Sequence, residues 1–112
     1  MRQGLDAAAV RMVREALGLT AAELARLVGV STRTLERLGD GRLPAPASDR
    51  LARLVEVADR AADVLGAENV ATWLRHPMPA LGGEPAVDWL DTGAGVREVL
   101  TVLTHIAYGE GF

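Results

Sequence analysis

Thr20-Ala21-Ala22-Glu23-Leu24-Ala25-Arg26-Leu27-Val28-Gly29-Val30-Ser31-Thr32-Arg33-Thr34-Leu35 is the stretch that decides how this chain folds. Thr20 and Glu23 have the spacing of a capping box, in which each side chain satisfies an orphan amide at a helix start. Leu24, Leu27 and Val28 give that helix an apolar face, and Gly29 ends it. Ser31 caps a further helix whose buried positions are Leu35 and Leu38, predicted to stop near Gly39 or Gly41. Small Ala25 lets the two helices cross closely, Gly29 permits the tight turn, and Val30 and Leu35 anchor the second helix to the core. Ala25, Gly29, Val30, Ser31 and Leu35 together have the spacing of a helix-turn-helix.

Outward from that stretch the periodicity stays helical. Val10, Val13 and Leu17 place a first helix from about Asp6 to Leu17, closed by Gly18. Leu43-Pro44-Ala45-Pro46-Ala47 reads as a hinge or turn, because proline lacks the amide and restricts its predecessor. Ser48 and Asp49 then open the longest helix, with Leu51, Leu54, Val55, Ala58, Ala62 and Leu65 on one stripe before Gly66. A short helix from about Glu68 to Arg75 buries Val70, Trp73 and Leu74. His76 to Gly83 is a loop, and Pro85 fits the first turn of a brief helix to Leu90. Val96, Val99, Leu100, Leu103 and Ile106 mark the last helix. No segment alternates as a strand does, and there are no repeats. The chain is predicted to be all-α.

A helix from Thr32 to about Leu38 would present Thr32, Arg33, Thr34 and Arg37 outward. Its N-terminal side chains would meet base edges in a DNA groove, while Ser31, Arg42 and the helix-start amides would meet phosphates. A single copy would bind weakly, so a homodimer spanning two half-sites is expected. Glu36 and Asp40 argue the other way, since they put negative charge beside that surface; a helix-turn-helix kept only for packing is the alternative.

Charge divides the chain. Its 112 residues hold 12 basic side chains, all arginine, against 15 acidic ones. Met1 to Arg60 carries 10 arginines and 8 acids, a balance of +2; Ala61 to Phe112 carries 2 and 7, a balance of −5, and the two sum to the net −3. The front half tolerates phosphates and the back half does not. The arginine bias itself also fits genome composition. Cysteine is absent, which excludes disulfides, thiolate metal sites and thiol nucleophiles. No run approaches the roughly 20 apolar residues of a membrane span, and Met1 to Val10 lacks a leader's apolar core. A cytosolic location without membrane contact is expected.

Catalytic readings find little support. His76 and His105 form no metal-spaced cluster, Asp88 and Asp91 fit caps or solvated charges better than an acid-base pair, and Gly93-Ala94-Gly95 lacks the strand and remaining glycines of a phosphate loop. No catalytic residue, metal ligand or cofactor is predicted, and the chain is not expected to be an enzyme.

The succession Trp73-Leu74, Pro77-x-Pro79-Ala80-Leu81-Gly82-Gly83, Pro85, Leu90-Asp91-Thr92, Gly95, Val99, Leu103, Ile106 and Tyr108-Gly109 resembles the toxin-binding domain of the Xre/MbcA/ParS antitoxin family. Gly29-Val30-Ser31, Arg33-Thr34-Leu35, Arg37 and Ser48-Asp49-Arg50-Leu51 are similar to that family's Xre-like portion. The resemblance implies an Xre-like helix-turn-helix part over 1–47, a connecting helix over 48–66 and a toxin-binding domain over 67–112. It also implies a type II antitoxin whose partner is a RES-domain toxin that consumes NAD or transfers ADP-ribose from it. Autoregulation of the operon would run through the helix-turn-helix.

Within that family the antitoxin's C-terminal residues enter the toxin's cleft. Here that element would be Tyr108, Gly109, Glu110, Gly111 and Phe112, with Gly111-Phe112 as the plug and Trp89 as a flanking contact. The two glycines let backbone enter a narrow cleft, Phe112 offers an aromatic anchor, and Glu110 with the terminal carboxylate would pair with basic groups that hold NAD phosphates. Glu110-Gly111 departs from the bulkier residues expected there. Trp73 reads as core, and the Pro77 to Gly83 residues as shaping a loop. The alternative function is a DNA-binding repressor whose C-terminal part only dimerises.

Overall fold

The computed structural model describes residues 5–39 and 41–109. Among these residues six α-helices follow one another: α1 Leu5–Leu17, α2 Ala21–Val28, α3 Thr32–Glu36, α4 Ala45–Leu65, α5 Val70–Leu74 and α6 Gly93–Ala107. Short 3-10 turns lie at Ala67–Asn69, Pro79–Leu81 and Ala86–Trp89. The fold is all-α apart from a two-residue antiparallel ladder, β1 Pro77–Met78 against β2 Glu84–Pro85, in which Pro77 faces Pro85 and Met78 faces Glu84.

α4 is the centre of the packing, lying against α1, α2, α5 and α6. Val13 and Leu17 of α1, Leu24 and Leu27 of α2, Leu54 and Val57 of α4, Leu74 of α5 and Val99 and Leu103 of α6 all belong to one buried cluster. Each such side chain contributes about 1.5–3 kcal/mol of apolar burial. Because α4 is covered from several sides, its buried set is wider than the predicted stripe. Val57 and Ala61 are fully buried, while Val55, Ala62 and Leu65 are only half-buried.

The predicted capping box is present. Thr20 Oγ1 accepts from Glu23 N at 3.0 Å, and Glu23 Oε1 accepts from Thr20 N at 2.9 Å. The third helix is shorter than expected, ending at Glu36 with Arg37 as its C-cap and Leu38 half-buried beyond it. The expected hinge at Leu43 to Ala47 is a correction: α4 begins at Ala45, with Pro44 as N-cap and Pro46 inside the first turn. Proline there forfeits only an amide that has no intrahelical partner. Ser48, expected as the cap, instead donates to Asp6 Oδ1 at 3.2 Å, and Leu43 N donates to Asp6 Oδ2 at 2.7 Å. Asp6, 4% exposed, thus pins the loop before α4 onto α1.

The short helix after Gly66 is a 3-10 turn followed by α5, with Trp73 half-buried against the core rather than within it. Pro85 starts no α-helix; it ends β2 and caps the 3-10 turn at Ala86–Trp89. Gly82 and Gly83, at φ 69° and 84°, turn the chain, and Gly83 N donates to Met78 O at 2.8 Å, which closes the ladder. No helix among the described residues is long and apolar enough to cross a membrane.

Candidate functional site

Two surfaces hold the predicted site residues. The first is built on the turn between α2 and α3. Gly29 closes α2 at φ 82°, donating to Ala25 O at 2.9 Å, and Val30 N reaches the same carbonyl at 3.0 Å. Ser31 then caps α3, its Oγ accepting from Thr34 N at 3.1 Å and lying 2.9 Å from Thr34 Oγ1. Those two hydroxyls hold the helix start. Thr32 is half-buried, whereas Arg33, Thr34, Arg37 and Arg42 are exposed. The three arginines form no ion pair with any described residue, so their guanidinium forks face solvent. Five donors in a fixed plane suit bidentate binding of phosphate or a guanine edge.

The same helix pair is locked to the back half by one ion pair. Arg75, just past α5, donates through Nη2 to Glu23 Oε1 at 2.8 Å and to Gly18 O at 2.8 Å, and through Nη1 to Glu23 Oε2 at 3.1 Å. That bidentate contact and the Thr20 amide hold the Glu23 carboxyl at about 2, well below its ordinary 4.5, and Glu23 raises Arg75 in turn. Both side chains remain partly exposed, at 28% and 45%. Gly18 sits tight beneath them, since a Cβ there would stand 2.7 Å from the Ala71 Cβ. The sequence shows Glu23 only as a cap; its partner lies 52 residues away.

The second surface runs along α6. Thr92 caps that helix, accepting from Gly95 N at 2.9 Å, and Gly95 lies so close to Trp89 that any side chain would overlap the Trp89 carbonyl. Trp89 is half-buried and lines an open groove of about 470 Å³ with Glu84, Asp88, Asp91 and Glu98. Its Nε1 is buried and has no acceptor among the described residues. At the other end Tyr108 caps α6 and is 78% exposed, the one large apolar side chain so exposed among the described residues. Gly109 follows at φ 75°. Glu110, Gly111 and Phe112 lie outside the described residues.

Trp89 and Tyr108 therefore stand at opposite ends of a 15-residue helix, about 20 Å apart at 1.5 Å per residue. A standard interface of about 800 Å² per partner spans that length. Arg50, on α4, is a member of the first surface that the motif reading missed: its Nη1 would stand 2.5 Å from a Cβ on Gly29. Among the described residues no group of three or more His, Asp or Glu side chains is placed to hold a metal ion.

Residues 2–56 match the antitoxin Xre-like helix-turn-helix domain, and residues 60–109 match the antitoxin Xre/MbcA/ParS C-terminal toxin-binding domain. Antitoxin Xre of Yersinia enterocolitica serotype O:8 / biotype 1B is 34% identical over 92 residues, covering 79% of this chain and 62% of that protein. The chain thus spans about three-fifths of that relative's length. The Prs ADP-ribosylating antitoxin of Sphingobium sp. strain YBL2 is 45% identical over 42 residues, covering 38% of this chain and 26% of that one. A chain in the crystal structure of the M. tuberculosis MbcT–MbcA toxin–antitoxin complex superposes with a TM-score of 0.77 at 28% identity, covering 97% of this chain and 99% of its own. The two matched regions adjoin within α4 and together take in both candidate surfaces: the chain belongs to the Xre/MbcA/ParS antitoxin family.

Proposed function

We propose that this chain is a type II antitoxin, acting by binding rather than by catalysis. In this reading it neutralises a RES-domain toxin, an enzyme that consumes NAD or transfers ADP-ribose, in the cytosol. The α6 surface carries the contact, and Tyr108, Gly109, Glu110, Gly111 and Phe112 lead into the toxin's cleft. The observation that carries it is Tyr108, a ring left in water at the end of the last helix. An exposed aromatic with an apolar body and a polar tip is a typical interface anchor, and Gly109 beyond it adopts the left-handed conformation that glycine tolerates. The family, the likeness to a chain of the MbcT–MbcA complex and the Prs-antitoxin match all support the same class of partner.

The test is NAD turnover by the cognate toxin with full-length chain or with a chain lacking Gly109 to Phe112. Restored turnover, with an unchanged helical circular-dichroism spectrum, is the expected result. Full neutralisation by the shortened chain would sink the tail mechanism.

A second activity is supported by Arg33 on α3 and Arg37 at its C-cap, both exposed and without an ion pair among the described residues: binding of operator DNA by a homodimer, and so repression of its own operon. A salt-sensitive gel shift on the region upstream of the gene should disappear in the Arg33→Ala, Arg37→Ala double variant. Absence of any shift at low salt counts against it.

A further inference from the structure

Three arginines outside the helix-turn-helix form a line that leads away from it. The Arg50 guanidinium lies over the Gly29 turn, at the 2.5 Å approach given above. One helical turn further along α4, Arg53 reaches the start of α6. There a Cβ on Gly93 would stand 3.2 Å from Arg53 Nη1 and 3.7 Å from Arg97 Nη1. All three side chains are exposed, and none makes an ion pair or hydrogen bond with a described residue. Asp91 lines the same depression as Arg50 and Arg53, and Asp49 and Glu56 are exposed on α4 nearby, yet none of them closes onto a guanidinium.

Neighbouring like charges repel, and a structural role alone would favour pairing them. The chain does pair an arginine where it needs a clamp, at Arg75 with Glu23. Only Arg75 and Arg97 follow residue 60, in a region with seven acids. One is consumed by that clamp; the other joins this line. Unpaired, solvated guanidinium groups arranged in a row complement a row of phosphates, because each can displace a condensed counterion from the duplex.

We propose that Arg50, Arg53 and Arg97 form a second, sequence-independent contact with the DNA backbone, extending the footprint of α3 across α4 onto the toxin-binding part. This rests on the DNA-binding reading above. Phosphate contacts position a protein without reading bases, so the stripe governs the salt dependence of binding and leaves discrimination between sequences to α3.

The experiment measures affinity by fluorescence anisotropy between 50 and 200 mM NaCl, on a duplex from upstream of the gene and on a scrambled duplex of equal length. With three arginines on each protomer of the homodimer, the Arg50→Ala, Arg53→Ala, Arg97→Ala variant should lose about 5 from the log–log salt slope, at roughly 0.9 per phosphate contact. The ratio between the two duplexes should stay as in the wild type. The corresponding triple lysine variant should keep the wild-type slope, which separates charge from folding. If the alanine variant keeps the wild-type slope while Arg33→Ala, Arg37→Ala loses binding, the stripe is overturned and the DNA reading stands. A slope lost equally in the lysine variant, or a stripe needed for toxin binding but not for DNA, also overturns it. If the wild type binds neither duplex at 50 mM NaCl, both readings fall.

Discussion

Glycines in this chain serve two different ends, and substitution separates them. Gly83 has φ 84° with open space around it, so Gly83→Ala meets only the left-handed penalty of about 1–2 kcal/mol. Gly95 lies inside α6, where alanine would ordinarily gain up to about 1 kcal/mol. Here a Cβ overlaps the Trp89 carbonyl, and overpacking reverses the sign. Gly95→Ala should therefore be the more damaging change, by about 1–3 kcal/mol, as read by urea denaturation. Trp89 gives a second prediction. A buried donor without an acceptor costs about 1–3 kcal/mol, so Trp89→Phe removes that cost along with some ring contact. Its stability should stay within about 1 kcal/mol of wild type; a loss well beyond that would mean the indole N–H is satisfied after all.

The start of α2 carries a cap and a clamp on a single side chain. Glu23 holds the Thr20 amide and also receives the Arg75 fork. Glutamine at this position retains a capping-box acceptor, so Glu23→Gln isolates the charge. The folded Glu23 titrates at about 2, below its ordinary 4.5. A depressed carboxyl stabilises the fold above the unfolded pKa, and that contribution fades as pH falls from about 4.5 toward 2. Wild type should exceed Glu23→Gln by about 0.5–1 kcal/mol at pH 7, as partly exposed pairs do, and the gap should close near pH 2. Urea melts at pH 7, 4 and 2.5 follow it. A gap at pH 2.5 as large as that at pH 7 would assign the stability to the cap instead of the ion pair.

At the scale of the molecule, α4 serves both halves, and one cluster of buried side chains runs from α1 to α6. Unfolding should be a single transition. The aromatic residues allow a clean check, because both tryptophans, Trp73 and Trp89, lie after residue 70 while α-helices lie in both halves of the described residues. Tryptophan fluorescence reports the back half and far-ultraviolet circular dichroism reports every helix. The two melts should coincide; an earlier fluorescence transition would show that the toxin-binding part opens on its own.

Local sequence alone determined the helices with strong caps and periodicity. Thr20 with Glu23, Gly29 and Ser31 act over three or four residues, so the helix-turn-helix was legible without any long-range contact. Helix α6 was legible for the same reason, through Val96, Val99 and Leu103. The outward placement of Arg33 and Arg37 followed from that spacing. Tertiary structure decided what distant residues decide together. The Asp6 tether to Leu43 and Ser48 spans 37 and 42 positions, the Glu23–Arg75 clamp spans 52, and Arg50, Arg53 and Arg97 meet from two helices. The prolines at 44 and 46 have the sequence signature of a break yet start α4, because the same residue breaks a helix interior and suits its first turn. Periodicity fixes which face of a helix turns inward; only packing fixes which neighbour meets it there.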